Sequence, residues 1–133
     1  MKKTLNKKVL LIVEDEKILI DTLEEKLLSE GFEVLKAHNG EDGLNLALSH
    51  HPDLILLDLL MPKVDGFVML KELRKDLWGL KAKVIILTNL DKPAISNNYN
   101  NELNNISEYM IKTNWSLKDM VTEIKNKLDF VEK

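Results

Sequence analysis

Three short, unbroken apolar runs constrain the fold most: Val9-Leu10-Leu11-Ile12-Val13, Leu54-Ile55-Leu56-Leu57 and Val84-Ile85-Ile86-Leu87. Each has four or five residues, too few for a helix, and two are rich in β-branched side chains. A strand with one wet face alternates polar and apolar residues. An unbroken run is apolar on both faces, as in a parallel sheet covered by helices. Residues 32–37 and 107–111 mix polar with apolar positions, the pattern of edge strands.

Helical patterns lie between the strands. Leu19, Leu23 and Leu27, with Ile20 and Leu28 beside them, form one stripe, and Gly31 stands where a C-terminal cap belongs. Leu44, Ala47 and Leu48 form a second stripe, ended before Pro52. Phe67, Leu70 and Leu73 with Leu77 form a third, stopped near Gly79. Ser116 opens the last helix, with Asp119 placed for a capping box. Its apolar face is Leu117, Met120, Val121, Ile124, Leu128 and Val131. A fourth helix belongs after Pro93, where residues 96–105 read SNNYNNELNN. Asparagine is a poor helix former, so this helix is either short and irregular or an ordinary exposed one.

Strand and helix alternate five times, which predicts the α/β class. Right-handed crossovers put helices on both faces, giving a three-layer α/β/α sandwich. Placing the three most apolar strands centrally gives a five-stranded parallel sheet in the order 2-1-3-4-5. One domain over 1–133 is expected, with its core at about 8–130 and residues 1–7 as a basic tail.

Composition narrows the function classes. Nineteen Lys plus Arg against twenty-two Asp plus Glu leave a net charge of −3. Direct nucleic-acid binding by bulk phosphate neutralisation is therefore not expected. The absence of cysteine removes disulfides, thiolate metal sites and a cysteine nucleophile, and fits a reducing, cytoplasmic setting. The apolar stretch after the basic N-terminus meets Glu14-Asp15-Glu16 after five residues. A membrane span needs about 20, so no membrane association is expected.

Ligands of an open parallel sheet bind beyond the carboxyl ends of its strands. Glu14, Asp15 and Glu16 follow the first strand, Asp58 the third, Thr88 and Asn89 the fourth, and Lys112 the fifth. Carboxylates brought together repel unless a cation sits among them. Oxygen-only ligation points to Mg²⁺, a place that Mn²⁺ can also fill. The ammonium of Lys112 and the hydroxyl of Thr88 suit a phosphoryl group carried on a carboxylate. Alone, three acids after a strand read more readily as a solvated turn or a helix N-terminus than as a site. Asp58 is harder to place that way, because burying an unpartnered carboxylate costs on the order of several kcal/mol.

In this order the residues resemble the receiver domain of two-component response regulators, most closely the stand-alone, chemotaxis-regulator type. The resemblance covers about residues 8–128. It is carried by Val-Glu-Asp-Glu at 13–16, Leu-Leu-Asp-Leu-Leu-Met-Pro at 56–62, Gly66, Thr88, and Tyr-Met-Ile-Lys at 109–112. It implies a flavodoxin-like fold and a signalling switch, not an enzyme, that catalyses only its own aspartyl phosphorylation and dephosphorylation. Asp58 is then the phospho-acceptor for a phosphohistidine on a sensor histidine kinase or a histidine phosphotransfer protein. Asp15 and Asp58 are implied as metal ligands, with the backbone carbonyl of Leu60, and Glu14 through water. Lys112 pairs with Asp58 and then with the phosphoryl group. Thr88 and Tyr109 form the switch that reshapes the surface of helix four, strand five and helix five for a downstream protein target. The protein is expected as a monomer or weak dimer with its output through a partner. A phosphorylation-independent interaction module on the same scaffold is the alternative.

Three departures from the family pattern stand out. Thr113 follows Lys112 where a proline is usual, Asn89 stands where a small residue is usual, and Leu60 and Leu90 flank the site. Apolar side chains at 60 and 90 cannot orient a hydrolytic water, so a long-lived phosphorylated state is expected. Leu60→Asn with Leu90→Glu should speed phosphoryl loss; equal decay of variant and wild type refutes it.

Other readings fit less well. A haloacid-dehalogenase phosphatase needs a second Asp two residues after the first, where this chain has Leu60, and a flavin site needs a Ser/Thr/Gly loop after strand one. His38, His50 and His51 show no metal-ligand pattern, and Trp78 and Trp115 read as cover for core edges.

Overall fold

The computed structural model describes residues 7–59, 61, 65–88, 108–111 and 116–128, with residues 88 and 108–111 described by backbone alone. Strands β1 (Val9–Val13), β2 (Glu33–Ala37), β3 (Leu54–Leu57), β4 (Val84–Thr88) and β5 (Glu108–Ile111) form one sheet. All neighbours pair in parallel, in the order β2-β1-β3-β4-β5. Helices α1 (Lys17–Ser29), α2 (Gly40–His50), α3 (Gly66–Leu73) and a C-terminal helix (Leu117–Lys127) cover it. The expected fourth helix lies outside the described residues.

The unbroken apolar runs divide between two cores. Leu11, Val13, Ile55, Leu57, Val84 and Ile86 face α2 and α3, joined by Phe67, Met69, Leu70 and Leu73. Leu10, Ile12, Leu54, Leu56, Ile85 and Leu87 face α1 and the C-terminal helix, joined by Ile20, Leu23, Met120 and Ile124. Successive strand side chains point to opposite faces, so each central strand feeds both layers. This is the expected three-layer sandwich, and fifteen or so buried aliphatic side chains in each core supply its main driving force.

Local signals account for the helix ends. At the end of α1, Gly31 N–H donates to the Leu28 carbonyl (3.1 Å) and Phe32 N–H to Leu27 (3.2 Å), the paired bonds of a Schellman cap. Gly31 takes φ +96°, a conformation that glycine enters at no steric cost. Asn39 and Asp65 cap α2 and α3 through their side chains, and Ser116 with Asp119 forms the expected capping box.

Helix α3 is shorter than its stripe suggests. It ends at Leu73, and Leu77, expected on its buried face, is 91% exposed. The chain turns because Arg74 Nη1 donates to the carbonyls of Gly79 (2.7 Å) and Ala82 (2.9 Å), while Asp76 Oδ2 accepts the Gly79 N–H. Leu28 and Leu48 also lie at the exposed margins of their helices, and β2 and β5 each begin one residue later than expected. Val131 lies outside the described residues.

Across one face, Glu30 joins α1 to the C-terminal helix: Lys125 Nζ lies 3.0 Å from Oε1 and Lys26 Nζ 3.4 Å from Oε2. The Lys125 hydrogen bond, reinforced by Lys26, holds the Glu30 carboxyl below its ordinary range. A depressed carboxyl stabilises the fold above its unfolded pKa, and that contribution is lost as pH falls through the folded value. Glu30→Gln should therefore melt below wild type at pH 7, with the gap closing once acid has protonated Glu30. A gap that stays constant with pH contradicts the ion pair.

Candidate functional site

The register of the sheet brings the acids together. Val13 of β1 pairs with Leu57 of β3, so the next residues, Glu14 and Asp58, leave adjacent strands side by side. Asp58 N–H donates to the Val13 carbonyl (3.0 Å) and Glu14 N–H to the Ala37 carbonyl (3.0 Å), which extends the ladder by one step on either side. Both acids are almost fully buried, with 1% and 3% of their surface exposed. Asp15 follows on the exposed rim.

One carboxylate oxygen from each of Glu14, Asp15 and Asp58 lies within 4.8 Å of the others. Two oxygens on opposite sides of one Mg²⁺ stand about 4.2 Å apart, so the spacing fits a shared cation. The donor set is all oxygen, which suits Mg²⁺ over softer metals. Glu14 is oriented from within its own loop, its Oε2 accepting the Glu16 N–H at 3.0 Å. Glu16, the third acid of the run, is exposed at the N-cap of α1, makes no side-chain cap bond, and stays out of the group.

The backbone beneath Asp58 is tightly seated. Gly66 N–H donates to the Leu59 carbonyl (3.1 Å), and a Cβ at 66 would run into the Asp58 carbonyl and the Leu59 Cα. Helix α3 therefore starts directly against the strand end that carries the acid. Its N-cap, Asp65, accepts the Val68 N–H at 3.0 Å and sets the angle of entry. Asp58 also stands between two fully apolar neighbours in sequence, Leu57 and Leu59, both buried.

Of the other expected site residues, Thr88 ends β4 opposite Ile111, and Tyr109 pairs with Ile86 in β5. The carboxyl ends of β4 and β5 thus lie on the same edge as the acids. Lys112, Leu60, Asn89, Leu90, Thr113 and Trp115 lie outside the described residues. Gly66 stands in the sequence only as part of a motif, and its close approach to Asp58 arises from the fold.

Trp78, expected at a core edge, is half-buried and packs against the α2–α3 core. His51 caps α2, and its ring stacks on Trp78. No described helix is long and apolar enough to cross a membrane.

Comparison with known proteins agrees with this geometry. Residues 10–125 match the family described as "Response regulator receiver domain". The alkaline phosphatase synthesis transcriptional regulatory protein PhoP of Bacillus subtilis is 38% identical over 88 residues, covering 66% of this chain and 35% of PhoP. The chain spans about half or less of the length of the curated relatives it matches. A CheY-like response regulator receiver domain protein from Methanospirillum hungatei superposes with a TM-score of 0.83 at 27% identity, over 93% of this chain and 95% of that one. The response regulator TrrA of Thermotoga maritima, solved in complex with Mg²⁺ and BeF, does so with a TM-score of 0.77 at 30% identity, over 90% and 98%.

Proposed function

Because this chain belongs to the response regulator receiver domain family of two-component systems, we propose that Asp58 is its phospho-acceptor and that Glu14 and Asp15 complete a Mg²⁺ site around it. The observation that carries this reading is the close group of three carboxylates, two of them buried, at the carboxyl ends of adjacent central strands. Burying like charges together is unfavourable without a cation, and no core-packing role requires it. The Mg²⁺ complex of the similar Thermotoga maritima protein supports the choice of metal; Mn²⁺ is an acceptable substitute.

An oxygen of Asp58 attacks the phosphorus of a phosphohistidine on a sensor histidine kinase or histidine phosphotransfer protein. The P–O bond forms as the P–N bond breaks, and the electron pair returns to the imidazole nitrogen, which solvent protonates. When bound, the metal offsets the charge of the carboxylates and of the phosphoryl oxygens. Asp15 and Asp58 would hold that ion directly and Glu14 through water, and the Leu60 backbone carbonyl would serve as a further ligand. Lys112 pairs with Asp58 before transfer and with the phosphoryl oxygens after it. Thr88 and Tyr109 then couple the new charge to the surface formed by helix four, β5 and the C-terminal helix, which a downstream protein reads.

The test is labelling of the full chain by acetyl phosphate with and without Mg²⁺. Labelling that needs Mg²⁺ and is prevented by chelator added beforehand supports the proposal. Absent labelling favours a phosphorylation-independent interaction module.

A further inference from the structure

The opposite pole of the sheet carries a second feature, remote from the carboxylates. A cleft of about 220 Å³ opens at the amino ends of β1, β3 and β4. Its charged and aromatic lining is Lys8, Lys81, Lys83, His51, Trp78 and Asp53. Three lysines and a single carboxylate thus line it. That carboxylate is engaged, Asp53 Oδ2 accepting the Val9 N–H at 2.8 Å.

Lysines near helix C-termini commonly offset carbonyl charge, and Lys83 does so here, donating to the Lys127 carbonyl at 2.7 Å. Lys8 does not fit that explanation, and Lys81, although it ends a 3₁₀ turn, donates no side-chain hydrogen bond to a carbonyl among the described residues. Lys8 precedes β1, Lys81 ends the 3₁₀ turn before β4, and neither makes an ion pair among the described residues.

The wall beside them is preformed. His51 closes α2 at φ 48° and ψ 60°, a left-handed conformation that histidine enters more readily than most side chains. Its imidazole lies flat on the Trp78 indole, ring centroids 4.3 Å apart and planes 6° from parallel. The segment bearing Trp78 is pinned by the bonds from Arg74 to the Gly79 and Ala82 carbonyls and from Gly79 to Asp76. A pinned aromatic wall beside a concentration of positive charge suits an anionic ligand.

We infer that this cleft binds a small oxyanion, a phosphate or carboxylate compound, with Lys8 and Lys81 supplying charge and the His51–Trp78 stack a flat wall. Such a site gives the domain a small-molecule input separate from its acid edge.

The test titrates the Mg²⁺-free full chain with pyrophosphate and with citrate, against chloride at matched ionic strength, following amide resonances and tryptophan fluorescence. Saturable shifts centred on residues 8, 51, 53 and 78–83 are expected. Lys8→Gln with Lys81→Gln should weaken binding roughly tenfold. Response to pyrophosphate alone assigns a phosphate ligand, and to citrate alone a carboxylate one. Shifts that merely follow ionic strength, that centre on residues 14, 15 and 58, or that persist unchanged in the double variant overturn the inference. Acetyl phosphate labelling of the double variant should equal wild type, which separates failure here from failure of the Asp58 assignment.

Discussion

Asp58→Asn should reduce acetyl phosphate labelling to background while leaving the fold intact. The amide keeps the size of the side chain but offers neither negative charge nor a nucleophilic oxygen. Asp58 is nearly fully buried, and two carboxylates lie within 4.8 Å of it. Removing one like charge from that group relieves repulsion on the order of 1–3 kcal/mol in the absence of metal. The metal-free variant should then melt several degrees above metal-free wild type. Added Mg²⁺ should raise the wild-type melting temperature more than that of the variant, because ligands stabilise the state that binds them. The combination is diagnostic: a variant that is more stable yet unlabelled has lost chemistry, not structure. Labelling equal to wild type removes Asp58 from the reaction.

Gly66→Ala should have the largest effect on stability of any single-methyl change near the site. The added Cβ meets the Asp58 carbonyl and the Leu59 Cα, backbone atoms that cannot rotate aside. Alanine gains roughly 1 kcal/mol over glycine in helix propensity, but overpacking against backbone costs more. A net loss of about 3 kcal/mol is expected, which lowers the melting temperature by roughly 10 °C in a domain of this length. Because the displaced backbone carries Asp58, Mg²⁺-dependent stabilisation should fall as well. Val68→Ala, on the same helix but half-exposed, should change stability by no more than about 0.5 kcal/mol. A Gly66→Ala protein that melts like wild type and binds Mg²⁺ equally well contradicts the close seating of α3 on the strand end.

Much of this was legible in the residues because the relevant physics is local or periodic. Unbroken runs such as Leu54–Leu57 report burial on both faces, and that alone separates a parallel sheet from a one-sided antiparallel one. Gly31 and Ser116 announce helix ends through bonds that span five residues or fewer. Glu14, Asp15 and Asp58 were legible as a group because each directly follows a strand, and strand ends in such a sheet lie at one edge.

The features that were not legible depend on contacts between distant or differently folded parts. Leu77 continues the helical spacing of Leu70 and Leu73, yet α3 stops because Arg74 reaches forward to carbonyls in the next turn. Periodicity carries no record of that competition. The His51–Trp78 stack joins residues 27 apart in sequence through a left-handed backbone turn at the end of α2. The role of Gly66 depends on which carbonyl it approaches, and only the folded chain decides that.

Parallel pairing also has a kinetic side. Leu10 lies beside Leu54 and Val9 beside Glu33, and every strand pairing joins residues more than twenty apart in sequence. Chains whose contacts are so distant along the sequence fold more slowly than helical bundles of equal length, since loop closure precedes the reward of pairing. The two strands that present Glu14 and Asp58 meet only after such a closure. A partly folded intermediate lacking the β1–β3 pairing therefore has three scattered, solvated acids and no affinity for a divalent ion. Appearance of that affinity during refolding would time the docking of the central strands, making metal binding a clock for the assembly of the sheet itself.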